Sequence, residues 1–165
     1  MHLFLRSTFI LIVTAAGALA HSSAFSPAHV DALLVPYFEM QEALVKDKFE
    51  PAVKAAASYA DTLAAGPSAK EAPSVTKLAA AAKAIKEAPE IEAARKAFHS
   101  LSNEMIMLVD HVGTAKTTAY QMRCTMAFNN TGASWLQATD KLYNPYWGAR
   151  MLRCGHEETV YKPKK

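Results

Sequence analysis

Two cysteines and two methionines make the only chemically distinctive pairing in this chain, Cys124 with Met126 and Met151 with Cys154. In an extended Cys124-Thr125-Met126 segment both sulfurs point to one face. In Met151-Leu152-Arg153-Cys154 they meet only on a helical turn. Each pair is then a two-sulfur half-site. Thiolates and thioethers are soft donors and favour Cu(I), or another soft heavy-metal ion, over hard ions such as Mg²⁺ or Ca²⁺. Joined, the halves offer two thiolates and two thioethers, with His156 as a borderline fifth donor. Zinc would call for more Cys or His and no Met. The same cysteines support a different chemistry, because two cysteines in an exported chain commonly pair as a disulfide and methionines commonly fill core gaps. Spacing leaves ion and bridge both open.

The remaining titratable and aromatic residues add no further constellation. His29 and His99 read as solvated helix residues, and His111 as a complement to the end of its helix. His21 reads as part of a loose terminus. Trp135, Tyr146 and Trp147 read as core around the sulfur segments. No Gly-rich phosphate loop, strand-turn Ser elbow or HExxH helix is present in the sequence, so no enzyme reaction is expected.

These segments must be carried by a scaffold, and the sequence indicates an exported one. Arg6, an apolar run from Phe9 to Val13 and the small residues Ala18-Leu19-Ala20 read as a signal peptide over residues 1–20. The apolar stretch is too short to span a bilayer comfortably, so no membrane attachment is expected after cleavage. The rest is one domain by length. With 18 Lys+Arg against 15 Asp+Glu and no basic block, the charge gives no reason to expect nucleic acid. Lys162, Lys164 and Lys165 form only a short basic tail.

Four helices are expected in residues 21–112. Ser26-Pro27 reads as an N-cap followed by proline at the first helical position. Val30, Leu33, Tyr37, Met40 and Leu44 then form one apolar stripe, with Pro36 inside it. Asp47 reads as the cap of a second helix with Val53, Ala56, Ala60 and Leu63 on its apolar side, ending at Gly66-Pro67. Ser74 to Ala88 reads as an alanine-rich third helix. Ile91, Ala94, Phe98, Leu101, Met105, Leu108 and Val112 hold a three-four alternation through the fourth. The expected fold is all-α, an antiparallel four-helix bundle. From Gly113 onward, residues 113–165 read as a Cys/Met/aromatic cap of the same domain. It contains a short extended segment in which Tyr120, Met122, Cys124, Met126 and Phe128 alternate.

The pattern resembles a family of periplasmic domains of unknown function, found alone or fused to adaptor (membrane-fusion) subunits of heavy-metal RND efflux pumps. The resemblance is carried by Tyr37, Ala43-Leu44-Val45, Arg95, Phe98 and Leu101-Ser102. It is most specific in Cys124-Thr125-Met126, Trp135-Leu136, Asn144-Pro145-Tyr146-Trp147-Gly148 and Met151-Leu152-Arg153-Cys154-Gly155. It implies a helical bundle that binds copper or a related heavy metal, with the Cys and Met positions as ligands and an efflux pump or other envelope metal protein as partner. That puts the ion ahead of the bridge. The family's Cys-Pro-Met is Cys-Thr-Met here, which removes the rigidity of proline and keeps both sulfurs.

Overall fold

A computed structural model describes residues 24–163. The expected signal peptide, His21, Lys164 and Lys165 lie outside the described residues. Four long helices come first, α1 (Pro27–Val45), α2 (Phe49–Ala64), α3 (Ser74–Lys86) and α4 (Ile91–Val112). Three strands follow, β1 (Ala119–Cys124), β2 (Ala133–Gln137) and β3 (His156–Tyr161), with a 3₁₀ turn at Gly148–Met151 between β2 and β3. Successive helices pack on one another, α1 also touches α4, and β2 lies against α4 and α1. Among the described residues no helix is long and apolar enough to cross a membrane.

The helix boundaries follow their sequence signals. Ser26 Oγ accepts the His29 N–H at 3.1 Å, and Pro27 occupies the first turn where its missing N–H removes no bond. Helix α1 continues through Pro36, and Val30, Leu33, Tyr37, Met40 and Leu44 are all fully buried. Helix α4 spans the whole expected alternation and buries Ala94, Phe98, Leu101, Met105, Leu108 and Val112. In α2 the buried face is Ala52, Ala55, Ala56, Tyr59 and Leu63, with Val53 only half-buried, because Tyr59 directs that face inward.

The all-α expectation is corrected here: the fold is mixed, with a three-stranded antiparallel sheet in the order β2-β1-β3. The strands hide for physical reasons. All five residues of β2 are buried, so it has no polar alternation to read. In β3, residues 156–159 are exposed and 160–161 half-buried, so it has no apolar face. Only β1 carries the period of two, and it stops at Cys124 rather than running through Phe128. After it, Phe128, Asn129 and Asn130 all take left-handed backbone angles, φ 50, 59 and 65°. That turn, completed by Gly132 at φ 79°, reverses the chain into β2.

One hydroxyl ties the helices to the sheet. Tyr37 Oη is 2.7 Å from Ser102 Oγ on α4 and accepts the Leu136 N–H of β2 at 3.0 Å, all three being buried. Its ring stacks on Phe98 with centroids 5.0 Å apart. A Tyr37→Phe substitution keeps the ring and leaves the Leu136 N–H and Ser102 hydroxyl short of a partner. Loss of such a buried bond costs about 1–3 kcal/mol, and urea unfolding of wild type and variant should show a destabilisation of that size.

Candidate metal centre

Cys124 ends β1 with its side chain fully buried, facing the bundle as Met122 does two residues earlier. Cys154 arrives from the other direction, in the turn between the 3₁₀ segment and β3, and is half-buried. Arg123 pairs with His156, so the two cysteines flank the end of the β1–β3 ladder. Their sulfurs lie 2.8 Å apart, and neither is in a disulfide. Thirty residues of sequence separation are closed to one contact.

Glycine permits the crossing. Gly155 has φ 139°, and a Cβ there would meet the Arg123 carbonyl oxygen at 2.6 Å. Any side chain would push the Cys154 segment off β1.

Asn144 fixes the Cys154 backbone from the other side. It is completely buried, and its Nδ2 donates to the Cys154 carbonyl at 2.7 Å. Its own N–H donates to the Leu152 carbonyl at 2.9 Å, and its Oδ1 accepts the Tyr146 and Trp147 N–H groups at 2.8 and 3.2 Å. Each of its hydrogen-bonding groups is used to shape the Asn144–Gly148 turn and the approach to Cys154. Tyr146 then donates to the Ser134 carbonyl of β2 at 2.7 Å, and its ring meets Trp135, Phe98 and Phe128. Burial holds that hydroxyl protonated far above its usual range, with the neighbouring Tyr37 adding to the effect.

The turn is anchored to the bundle by a buried cation. Arg95 on α4 is 3% exposed. Its Nε donates to the Pro145 carbonyl at 2.9 Å, and Nη2 donates to the Leu44 carbonyl at 3.0 Å and to Asp47 Oδ1. The other Asp47 oxygen accepts the Ala149 N–H at 3.0 Å. Asp47 therefore does not cap α2, whose first residue follows Lys48 with no side-chain cap. It sits at φ 55° with its carboxylate held against Arg95. Gly148 passes so close to this pair that a Cβ would overlap it.

The other predicted ligands are placed less tightly. Met126 does not continue the strand: it has left the extended conformation and is 46% exposed. The expectation that an extended Cys124-Thr125-Met126 aligns both sulfurs is corrected by the end of β1 at Cys124. Met151 is half-buried at the end of the 3₁₀ segment, and the Cys154 N–H donates to its carbonyl at 3.0 Å, the helical turn expected for that half-site. His156 is exposed on the first residue of β3. Among the described residues no three His, Cys, Asp or Glu side chains form a metal-holding group, so His156 does not complete one with the cysteines. A cleft of about 440 Å³ between α1 and the segment after β2 is lined by none of these five residues.

His99 was read as solvated and instead joins the aromatic cluster, stacked on Phe128 at 5.1 Å and edge-on to Tyr146 at 5.9 Å. Burial, helped by the charge of Arg123, lowers its pKa and favours the neutral ring. Asn144, Asp47, Ser134 and Gly155 were not singled out as individual positioning residues. Asn144 and Gly155 lie in the stretch dense in Asn, Pro, Gly and aromatic residues, Asp47 reads only as a helix cap, and Ser134 carries no signal.

The sulfur pair controls its own protonation. The hydrogen bond with Cys124 comes first, then burial and the charge of Cys124, in raising the Cys154 thiol from 9.0 to about 11. The Cys154 thiol therefore holds its proton beside Cys124, and a soft cation between the two sulfurs would remove that repulsion.

Fold and site together define a helical scaffold whose small sheet presents a close dithiol. A family model described as "Protein of unknown function (DUF3347)" matches residues 33–117, just over half of the chain, and the protein belongs to that family. The match begins inside α1, runs through α4 and stops before β1, so both cysteines lie beyond it. No curated protein and no solved structure matches the chain.

Two outcomes test this geometry. Burial raises the Asp47 carboxyl, but the Ala149 N–H and the Arg95 and Arg150 guanidinium groups outweigh it and hold its pKa below the ordinary 3.8. A carboxyl depressed by folding stabilises above its unfolded pKa and loses that contribution as pH falls through the folded value. Asp47→Asn should accordingly lower stability at neutral pH and show a smaller additional loss than wild type below about pH 4 in acid titrations. Separately, Gly155→Ala should part the thiols. Wild type should close a ring on a trivalent arsenical that needs two neighbouring thiols, while a folded variant, verified by circular dichroism, should lose that binding.

Proposed function

We propose that the protein is an exported binder of Cu(I), or of another soft heavy-metal ion, which it carries as cargo in the periplasm. It acts as a chaperone or buffer in metal efflux or resistance, delivering to a heavy-metal efflux pump or another envelope metal protein. No reaction is part of this role. The observation that carries the reading is the meeting of two cysteine sulfurs at the end of the sheet, one buried and one half-buried, with methionines in the adjoining turns. In this reading Cys124 and Cys154 supply thiolates and Met126 and Met151 supply thioethers. Such a set suits a soft monovalent ion and disfavours hard cations. The exposure of Met126 gives an incoming ion a thioether to meet before the buried thiol.

The same 2.8 Å separation favours a second reading, in which Cys124 and Cys154 form a structural disulfide that staples the sheet to the Asn144–Met151 segment. The protein is then a metal-free interaction domain.

Anaerobic Cu(I) titration of the reduced protein against a competing chelator tests the first reading. Wild type should take up one equivalent, and Cys124→Ser/Cys154→Ser should lose high-affinity uptake. Equal uptake by the two would contradict the proposal.

A further inference from the structure

We infer that Cys124 and Cys154 are a redox gate on the metal site: an external disulfide converts the dithiol to a bridge, and the bridge expels the soft ion. This inference rests on the metal-binding reading above. Two thiolates that share one ion stand apart from each other, by about 3.7 Å for tetrahedral metal–sulfur bonds of about 2.3 Å. A disulfide draws the same atoms to about 2.05 Å. The two sulfurs already touch, so the same pair can serve either state. Bridge and ion use the same sulfur electron pairs and exclude each other.

The two sulfurs differ in access. Cys124 is fixed in β1 and fully buried, whereas Cys154 sits in a turn, half-buried, with the glycine of φ 139° next to it. An external disulfide therefore reaches Cys154 first. The small fraction of Cys154 present as thiolate attacks one sulfur of R–S–S–R: a Cys154 Sγ–S–R bond forms, the S–S bond of the reagent breaks, and the other sulfur leaves as R–S⁻ and takes the proton that Cys154 gave up. The Cys124 thiolate, already beside Cys154 Sγ, then attacks that atom and displaces the second R–S⁻, which is also protonated. Two protein thiols are oxidised to one bridge, one external disulfide is reduced to two thiols, and a bound Cu(I) leaves with its charge unchanged. The burial of Cys124 protects it from forming the mixed disulfide itself.

The test uses the whole purified protein with oxidised glutathione as the disulfide. Mass spectrometry should show the reduced protein losing two hydrogens, and Cu(I) loaded beforehand should be released in proportion to bridge formation and recovered on reduction. Failure of the bridge to form in excess oxidised glutathione, or retention of Cu(I) by the bridged protein, overturns the gate and leaves Cu(I) binding by the reduced form standing. Absence of Cu(I) uptake by the reduced form defeats the metal-binding reading and the gate with it, and the mass measurement still reports the exchange separately. The order of attack is read from single variants. Cys124→Ser should accumulate a glutathione adduct on Cys154, and Cys154→Ser should lose most of that reactivity. Equal modification of the two folded variants would overturn the order.

Discussion

A buried guanidinium holds the two halves of this molecule together. Arg95 leaves α4 and reaches three separate segments: the last turn of α1 through the Leu44 carbonyl, the α1–α2 junction through the Asp47 carboxylate, and the Asn144–Gly148 turn through the Pro145 carbonyl. A buried charge is tolerated only when paired and hydrogen-bonded, and here the partners are the carboxylates of Asp47 and Glu92 and two carbonyl groups. The planar fork of arginine serves several acceptors at once, a geometry that lysine could not reproduce. Because Pro145 is one of those acceptors, the turn that positions Cys154 is fixed to the bundle rather than only to the sheet. From there Asn144 carries the constraint to the Cys154 carbonyl, and Gly155 allows the close passage to β1.

The bundle was legible because its signals are local and periodic. The Ser26-Pro27 signal marks the observed start of the first helix, and the alternation from Ile91 to Val112 matches the observed span of the fourth. The sheet was not legible, because two of its three strands lack alternation: β2 is buried on both faces and β3 is almost wholly exposed. Asp47 shows how one residue can carry a misleading signal. An aspartate before a helix normally caps it, yet here a tertiary partner, Arg95, takes the carboxylate and the helix begins without it.

The Cys-Met pairing was visible as residue types, and its split was not. Spacing treated Cys124 and Met126 as one half-site, but the end of β1 separates a buried thiol from an exposed thioether. The contact between Cys124 and Cys154 depends on groups far apart in sequence, and no local pattern encodes it. Three consecutive left-handed residues, Phe128 to Asn130, follow Met126 and Ala127. Non-glycine residues in that region are held there by their surroundings, and Phe128 is held between His99 and Tyr146. The aromatic cluster thus fixes the strained turn and, with it, the segment that presents Met126.

These constraints converge on the Cys124–Cys154 contact at the end of the sheet, the place where the proposed soft ion would bind. X-ray absorption at the copper edge of the anaerobically loaded protein reads that claim directly. A shell of sulfur atoms alone, lost in Cys154→Ser, is the predicted result. A shell dominated by nitrogen or oxygen would contradict the account.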